Sequence, residues 1–295
     1  MIPEALLIAV ETVLRDAGEP LPLQQYELLK GGFSSNSVKI ASRRGTYLLK
    51  WNEQAAPTTY IHEAHSLRVL RDTGVVRVPN VLAATTPTAD APGFLLQEWI
   101  PTRAWSRQFN QQLSAKIAQL HRCGIASPGY ATISHVSATN NNGWTDWATC
   151  YRNQYLRPAI KRALRRELLT SAIEHKLERL LERLPELLGG IARQPALIHG
   201  DLWRNNILCD LKGQPVLIDP HAAYADHEYE LMIAEEYGGF GLTFFAAYET
   251  IWSTQPDRRE RRDVYRLHPL LQRLDGFYKT TLAEIGAVLQ WYVGA

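Results

Sequence analysis

The chain has 295 residues, a formal net charge of +2, 45% hydrophobic residues and 21% charged residues. This composition is ordinary for a globular protein and excludes a disordered or fibrous chain, and the near-neutral charge gives no reason to expect nucleic acid as a partner. The three cysteines have no tight spacing and make no disulfide framework. The apolar run 5–10 is too short to span a bilayer. We therefore expect a cytoplasmic protein with no membrane partner.

The first hundred residues read as a small β-rich section. Helical spacing of apolar residues begins after Pro3 and stops at Gly18, and alternating segments separated by a short polar turn indicate a hairpin. The predicted elements are a helix through Leu14, strands 37–41 and 46–51 around the turn 42–45, a helix 60–70 and a strand 93–98. Pro101 follows the last strand and marks the expected end of this section.

The rest of the chain is predicted to be mostly helical. Helices are expected at about 110–122, 144–166 and 168–188 and again from 228 onward, with one β element at 197–219. We therefore expect an α+β protein with two lobes, a small β-rich N-lobe of residues 1–101 and a larger helical C-lobe of residues 102–295.

The densest cluster of reactive side chains lies between residues 197 and 219. Two short apolar strands flank Lys212-Gly213, and a two-residue turn there would place Asn206 opposite Asp219. Opposed residues of an antiparallel pair lie about 5 Å apart at Cα, so an amide oxygen and a carboxylate could hold Mg²⁺ or Mn²⁺ together with phosphate oxygens. Asp201, on the loop that enters this hairpin, is placed to take a proton from a hydroxyl nucleophile. The arrangement resembles the catalytic loop and metal-binding aspartate of kinases.

Each of these residues also has a purely structural interpretation. An Asp or Asn before a strand often serves only as a turn or cap, and His199 is better explained as a residue that orients the loop. The pattern His-x-Asp-x4-Asn followed by a hairpin-spaced Ile-Asp is much more specific than its parts.

Lys50 interrupts an apolar strand and has two interpretations. It could be an edge-strand lysine that reaches solvent. Glu63, however, lies on the same helical stripe as Leu67, and buried charges are rarely left unpaired. A Lys50–Glu63 ion pair would present the ammonium group to the α- and β-phosphates of ATP.

Two further segments have the order expected of an ATP site. The Gly-rich stretch between predicted strands could fold its backbone over phosphates, although such a stretch is often an ordinary turn. The end of the strand before Pro101 could pair with an adenine edge through backbone groups. The candidate ATP-binding residues here are Gly31, Gly32, Ser34 and Asn36 in the loop, and Glu98, Trp99 and Ile100 at the strand end.

The sequence resembles the fructosamine (ketosamine-3-) kinase family, within the aminoglycoside-phosphotransferase-like kinases that share the protein-kinase-like fold. The resemblance extends over most of the chain. It rests on these segments: 31–36, 49–52, 63–67, 113–121, 144–147, 156–158, 199–203, 219–231 and 237–240. His-Gly-Asp-Leu-Trp at 199–203 and the Asp-Pro at 219–220 are its most specific parts.

The resemblance implies phosphorylation by ATP of the sugar 3-hydroxyl of ketosamines, free or attached to proteins, followed by loss of the phosphate and release of the amine. Asp201 would be the base, Asn206 and Asp219 the metal ligands, and Lys50 with Glu63 the phosphate-positioning pair. The candidate acceptor-binding residues are Trp203, Arg204, Tyr224, His227 and Glu228. The chain departs from the usual family pattern at several positions. Arg204-Asn205 replaces Ser-Gly, Asp226 replaces a glycine, Glu230 replaces an aspartate, and Phe33 stands where many members carry cysteine.

The sequence is also compatible with two other functions. One is a kinase for another small alcohol, such as an aminoglycoside or a choline-like metabolite. Against a polycationic acceptor, residues 157–193 hold nine Lys or Arg and five Glu. The other is a nucleotide-binding pseudokinase that serves as an interaction module. The preferred ketosamine and the oligomeric state are not determined by the sequence.

Overall fold

The computed structural model describes residues 2–19, 25–29, 35–106, 108–126, 131–132, 144–189 and 194–294. The chain forms two compact units. The first unit holds the described residues up to Gln112 together with Asn205–Ala222, and the second holds the remaining described residues. The predicted lobe boundary at residue 101 stays a prediction. Within the described ranges, no helix has both the length and the apolar content needed to cross a membrane.

An antiparallel sheet and two helices make up most of the first unit. The elements are α1 Glu4–Asp16, β1 Gln25–Leu28, β2 Asn36–Ala41, β3 Thr46–Trp51, α2 Thr59–Asp72, β4 Val81–Ala84 and β5 Phe94–Glu98. The strands lie in the spatial order β1-β2-β3-β5-β4. The predicted helices, hairpin and last strand are confirmed. Strands β1 and β4 were not predicted, because each is only four residues long and lies near a proline that weakens the strand pattern.

Helix α1 covers one face of this sheet. Leu6, Val10 and Leu14 recur every four residues, which places them on one side of the helix, and each is fully buried. They pack in one hydrophobic core with Leu49 and Trp51 of β3. Because side chains alternate across a strand, Lys50 between these two points to the opposite face of the sheet.

The later elements are mainly helical, with short strands among them. They are α3 Phe109–Arg122, β6 Ala131–Thr132, α4 Trp147–Cys150, α5 Arg157–Arg165, α6 Ser171–Gly189, β7 Ala196–Ile198, β8 Ile207–Cys209, β9 Pro215–Leu217, β10 Ala223–Ala225, α7 His227–Tyr237, α8 Leu242–Glu249, α9 Arg258–Arg273 and α10 Tyr278–Val293. A π-helical segment, Tyr151–Leu156, lies between α4 and α5. The predicted helices at about 110–122 and 168–188 are confirmed within a few residues.

The expectation of a single β element in the second half is wrong. Besides the hairpin of β8 and β9, the strands β6, β10 and β7 form a three-stranded sheet in the second unit. Residues 223–225 pair with 196–198, and each strand has at most three residues. Strands this short give no alternating pattern that a sequence reading can detect.

The hairpin of β8 and β9 has a different register from the predicted one. Ile207 pairs with Leu217, and the amide of Ile218 donates to the carbonyl oxygen of Asn206 at 3.0 Å. Asn206 is therefore opposite Ile218, and the prediction that it faces Asp219 is wrong by one residue. The turn contains three residues, 211–213, with Gly213 at φ 83°, and a left-handed third residue is typical of three-residue hairpin loops.

Candidate active site

Lys50 lies between two carboxylates within the first unit. Its Nζ is 2.7 Å from Oε1 of Glu63 on α2 and 2.8 Å from Oδ1 of Asp219. The lysine is only 7% exposed. Burial alone would lower the pKa of Lys50, but the charges of Glu63 and Asp219 outweigh it and raise this pKa above its usual value. The ammonium group of Lys50 is therefore charged, and its two carboxylate partners hold it in a defined orientation.

The solvent-facing interpretation of Lys50 is wrong. Strand β3 lies between β2 and β5 and is not an edge strand. Since Leu49 and Trp51 occupy the core under α1, Lys50 extends from the other face and meets Glu63 of α2. The predicted Lys50–Glu63 ion pair is present.

Asp219 follows the hairpin with an unusual backbone. Its φ is 55°, a left-handed conformation that costs a residue with a Cβ roughly 1–2 kcal/mol. Such strain persists only where surrounding contacts enforce it, and it concentrates at functional sites. Here the left-handed residue carries the carboxylate that meets Lys50.

Asn206 and Asp219 are the residues that could hold a divalent cation. Asn206 is 5% exposed and Asp219 has a side chain that is 43% exposed, so the carboxylate is accessible while the amide is almost fully enclosed. An amide oxygen and a carboxylate oxygen are the hard donors that Mg²⁺ and Mn²⁺ prefer. The donor chemistry therefore fits such an ion, although the two residues do not face each other across the hairpin.

Sequence reasoning missed the residues that fasten this hairpin within the first unit. Arg77 bonds with both Asp210 and Glu98, and its distance to Oε1 of Glu98 is 2.8 Å. Asp210 also accepts from the amides of Lys212 and Gln214 at 2.9 and 2.8 Å. An aspartate immediately before a turn is the one local signal that could have identified these contacts of Asp210.

The strand end proposed to bind adenine is partly occupied by internal bonds. The amide of Glu98 donates to the carbonyl of Asn80 at 2.8 Å, and that of Trp99 donates to Thr46 at 3.0 Å. The Trp99 ring lies 5.1 Å from Nζ of Lys39. An adenine edge would therefore have to use the carbonyl of Glu98 or the backbone of Ile100, since the amides of Glu98 and Trp99 are already engaged.

The proposed phosphate loop lies largely outside the described residues. Gly31, Gly32 and Ser34 fall in that part, and Asn36 begins β2, where it pairs with Trp51. Next to the loop, the Ser35 hydroxyl is 3.0 Å from the hydroxyl of Tyr60 on α2. The end of the loop is therefore tied to the helix that carries Glu63.

In the second unit, buried groups hold the loop that carries Asp201. Glu230 of α7 accepts from the amides of His199 and Gly200 at 3.0 and 2.6 Å. The amide of Asp201 approaches Nδ1 of His199 at 3.3 Å, and His199 is fully buried. This agrees with the expectation that His199 orients the loop.

Glu230 has a further buried partner that sequence reasoning missed. Its Oε2 is 2.8 Å from Nε2 of His121, and Nδ1 of His121 is 2.7 Å from the hydroxyl of Tyr248. Burial alone would raise the pKa of Glu230, but bonding and charge from His121 and the Gly200 amide lower it. A charged carboxylate therefore supports the backbone just before Asp201.

Glu230→Gln should lower the free energy of unfolding at neutral pH by roughly 2–3 kcal/mol, the size expected when a buried hydrogen bond to a charged group is lost. The depressed pKa adds a pH signature. Its stabilisation is present above the usual value of 4.5 and is lost as pH falls through the lower folded value. Urea unfolding at pH 7 and near pH 4 would measure both effects. Glu186→Gln, an exposed glutamate on α6, is the control, and equal stability of the two variants would contradict the assignment.

Three of the candidate acceptor-binding residues lie in accessible or half-buried places. Trp203 is half-buried and Arg204 is exposed, and both follow Asp201 directly on the loop. Tyr224 is half-buried in β10 and pairs with Leu197 of β7. These positions allow contact with a ligand.

His227 and Glu228 lie in a different environment. Glu228 is 1% exposed and forms a two-bond ion pair with Arg261, at 2.7 and 2.8 Å. His227 is 6% exposed, and its ring stacks on that of Trp252 with centroids 4.5 Å apart. The neighbouring Asp226 caps α7 and accepts from the hydroxyl of Tyr265 at 2.8 Å. The surroundings of His227 and Glu228 therefore give no support to the substrate-contact prediction, which stays a prediction.

The first section of the chain is an antiparallel sheet with a buried lysine–glutamate pair. The section that follows is mainly helical and has a loop that carries an aspartate. This combination defines a kinase-like fold. Solved structures agree. A protein from Haemophilus somnus 129PT, provisionally named a fructosamine-3-kinase, has a TM-score of 0.80 at 20% identity, covering 95% of this chain and 96% of that one. An aminoglycoside phosphotransferase in ternary complex with AMP-PNP and hygromycin B has a TM-score of 0.67 at 13% identity, covering 97% and 99%.

The family follows from the sequence comparisons. The family model described as fructosamine kinase matches residues 8–293, and the chain belongs to this family. It is 31% identical to a Lactiplantibacillus plantarum protein named "Probable ketoamine kinase", over 92% of this chain and 95% of the relative. It is also 31% identical to the chloroplastic protein-ribulosamine 3-kinase of Oryza sativa subsp. indica, over 88% and 76%. The chain is therefore an ATP-dependent kinase.

Proposed function

We propose that this enzyme transfers the γ-phosphoryl group of ATP to the sugar 3-hydroxyl of ketosamines, the adducts that form when reducing sugars glycate amines. The 3-phosphate is then eliminated and the amine is released, so the biological outcome is deglycation. The observation that carries the proposal is Lys50 held by Glu63 and Asp219, in a chain of the fructosamine kinase family. A pseudokinase would have no need to retain this arrangement together with Asp201.

Lys50 is proposed to position the α- and β-phosphates of ATP, because Glu63 fixes the direction of its ammonium group. Gly31, Gly32, Ser34 and Asn36 are proposed to cover the phosphates. The carbonyl of Glu98 and the backbone of Ile100 are proposed to meet the adenine, with Trp99 beside them. We also propose that the N-lobe, which binds the nucleotide, ends near residue 101.

Asn206 and Asp219 are proposed to hold Mg²⁺ or Mn²⁺. When bound, such an ion neutralises the charge that develops on the transferred phosphoryl group. Asp219 is the residue of this pair whose carboxylate also contacts Lys50.

Asp201 is proposed to accept the proton of the sugar 3-hydroxyl as that oxygen attacks phosphorus. Glu230 and His199 support this role, since they hold the backbone before and at Asp201. Trp203, Arg204 and Tyr224 are the proposed contacts to the acceptor. An arginine beside the acceptor favours neutral or anionic ketosamines over polycationic alcohols such as aminoglycosides.

The name of the rice relative, protein-ribulosamine 3-kinase, supports glycated proteins as acceptors along with low-molecular-weight adducts. We propose that the enzyme acts on both in the cytoplasm, where ATP is available. Neither nucleic acid nor a membrane is required for this chemistry.

Incubation of the wild-type enzyme with MgATP and ribulose- or fructose-lysine should give a ketosamine 3-phosphate, followed by free lysine. Mass spectrometry would detect the added phosphate and then its loss, and the position of the phosphate would be read by NMR. Aminoglycosides and choline serve as comparison acceptors. Phosphorylation of only these two would overturn the ketosamine proposal and leave a kinase for another alcohol.

A further inference from the structure

Tyr237 is the last residue of α7, where the helix end meets the loop that carries Asp201. Gly238 and Gly239 follow with φ of 72° and 94°, conformations that glycine adopts without cost. A side chain at position 239 would overlap Cβ of Arg204. Glycine is therefore required there, and its small size allows Arg204 to approach the end of α7.

This close approach brings two aromatic rings together. The ring centroids of Trp203 and Tyr237 are 6.3 Å apart with an angle of 53° between the planes, a tilted pair in the favourable range for aromatic contacts. Tyr237 is 40% exposed although it belongs to this pair. The two rings thus form an angled apolar wall that begins two residues after Asp201.

The charge of Asp201 also affects the pKa of the Tyr237 phenol. Burial raises the pKa of Tyr237, Arg273 opposes this effect, and the negative charge of Asp201 adds to it. The hydroxyl therefore stays protonated at neutral pH and can donate a hydrogen bond. A partly exposed phenol on an apolar wall suits a ligand with both C–H faces and hydroxyl groups, which is the chemistry of a sugar.

We propose that Tyr237 is a specificity-determining residue for the acceptor, with its hydroxyl bonded to an oxygen of the sugar and its ring completing, with Trp203, a wall against the sugar's C–H face. This inference rests on the proposed function, because it takes the sugar of a ketosamine as the acceptor. It assigns the residue to acceptor binding and gives it no part in ATP binding or proton transfer.

Steady-state kinetics of Tyr237→Phe and Tyr237→Ala, with fructose-lysine and ATP varied separately, would test the inference. Tyr237→Phe removes only the hydroxyl and should raise KM for the ketosamine about 3- to 10-fold, the equivalent of one neutral hydrogen bond. Tyr237→Ala also removes the ring and should raise it further, to roughly 30-fold or more. KM for ATP should stay within about twofold in both, since uniform loss of acceptor binding leaves the other substrate unaffected.

Tyr278→Phe is the matched control. Tyr278 has the same 40% exposure and begins α10, and its loss of a hydroxyl should leave both KM values unchanged. Unchanged ketosamine KM in both Tyr237 variants would overturn the inference, as would parallel changes in the two KM values with a lowered thermal midpoint, which indicate a structural role.

Failure of the proposed function can be distinguished from failure of the inference about Tyr237. If wild type phosphorylates another alcohol and no ketosamine, the proposed function fails, and the same comparison of KM values is made with that alcohol. A selective rise would then keep Tyr237 as an acceptor residue, and no rise would remove it. If wild type phosphorylates none of the acceptors, both proposals fail.

Discussion

Asp201→Asn should lower kcat by roughly 10²-fold or more, which is the contribution typical of a general base. Asparagine keeps the size of the side chain and the loop backbone but cannot accept the proton of an attacking hydroxyl. Because the bonds from Glu230 reach the amides of His199 and Gly200, the loop should keep its conformation in the variant. Coupled measurement of ADP formation, with ketosamine present, would give kcat directly.

Two measurements separate a chemical defect from a folding defect. The thermal midpoint of Asp201→Asn and its affinity for a fluorescent ATP analogue should match wild type. Asp72→Asn, at an exposed aspartate paired with Arg71, should have wild-type turnover. Near-normal kcat in Asp201→Asn would remove Asp201 from the mechanism.

The Lys50–Glu63 pair could be predicted because local patterns determine both partners. Lys50 interrupts an apolar strand, and Glu63 shares a helical stripe with buried leucines. A charge that is carried into a buried position must find an opposite charge, and within the first hundred residues this requirement left Glu63 as the natural partner. The predicted strands and helix were therefore sufficient to pair them.

The hairpin register could not be predicted in the same way. Lys212-Gly213 is compatible with a two-residue turn, and only the left-handed conformation of Gly213 and the two amide bonds to Asp210 reveal a loop of three. One residue of difference moves Asn206 from Asp219 to Ile218. The sequence predicted the hairpin here without determining which of its residues face each other.

The sequence did not predict that Glu230 and His121 hold the loop that carries Asp201, because these residues are far apart along the chain. Glu230 lies about thirty residues after the amides that it holds, and His121 lies more than a hundred residues before it. No local periodicity connects such partners. Glu228 and His227 were predicted to contact substrate because the family resemblance includes them. A resemblance of residue types does not show that they are buried in ion-pair and ring contacts.

Asp219→Ala should reduce turnover with MgATP by roughly 10³-fold or more, because its carboxylate is the proposed ligand of the ion that offsets charge on the phosphoryl group. Activity of wild type should in turn require Mg²⁺ or Mn²⁺ and disappear in excess chelator. The variant also removes one of the two carboxylates on Lys50, but Glu63 remains at 2.7 Å, so the lysine should keep its position and nucleotide affinity should fall much less than kcat. Titrating Mg²⁺ at fixed ATP would show whether higher metal concentration restores any turnover.

The left-handed backbone of Asp219 supplies the control for this experiment. Asp257 is another aspartate with positive φ, 62°, and it lies at the start of α9 in an exposed position. Replacing either residue by alanine leaves a Cβ in a left-handed conformation and carries a similar backbone cost, so Asp257→Ala reproduces the strain without touching Lys50. We expect Asp257→Ala to keep wild-type turnover while Asp219→Ala loses it. Comparable activity of the two variants, or full wild-type activity in excess chelator, would contradict the assignment of Asp219 as a metal ligand.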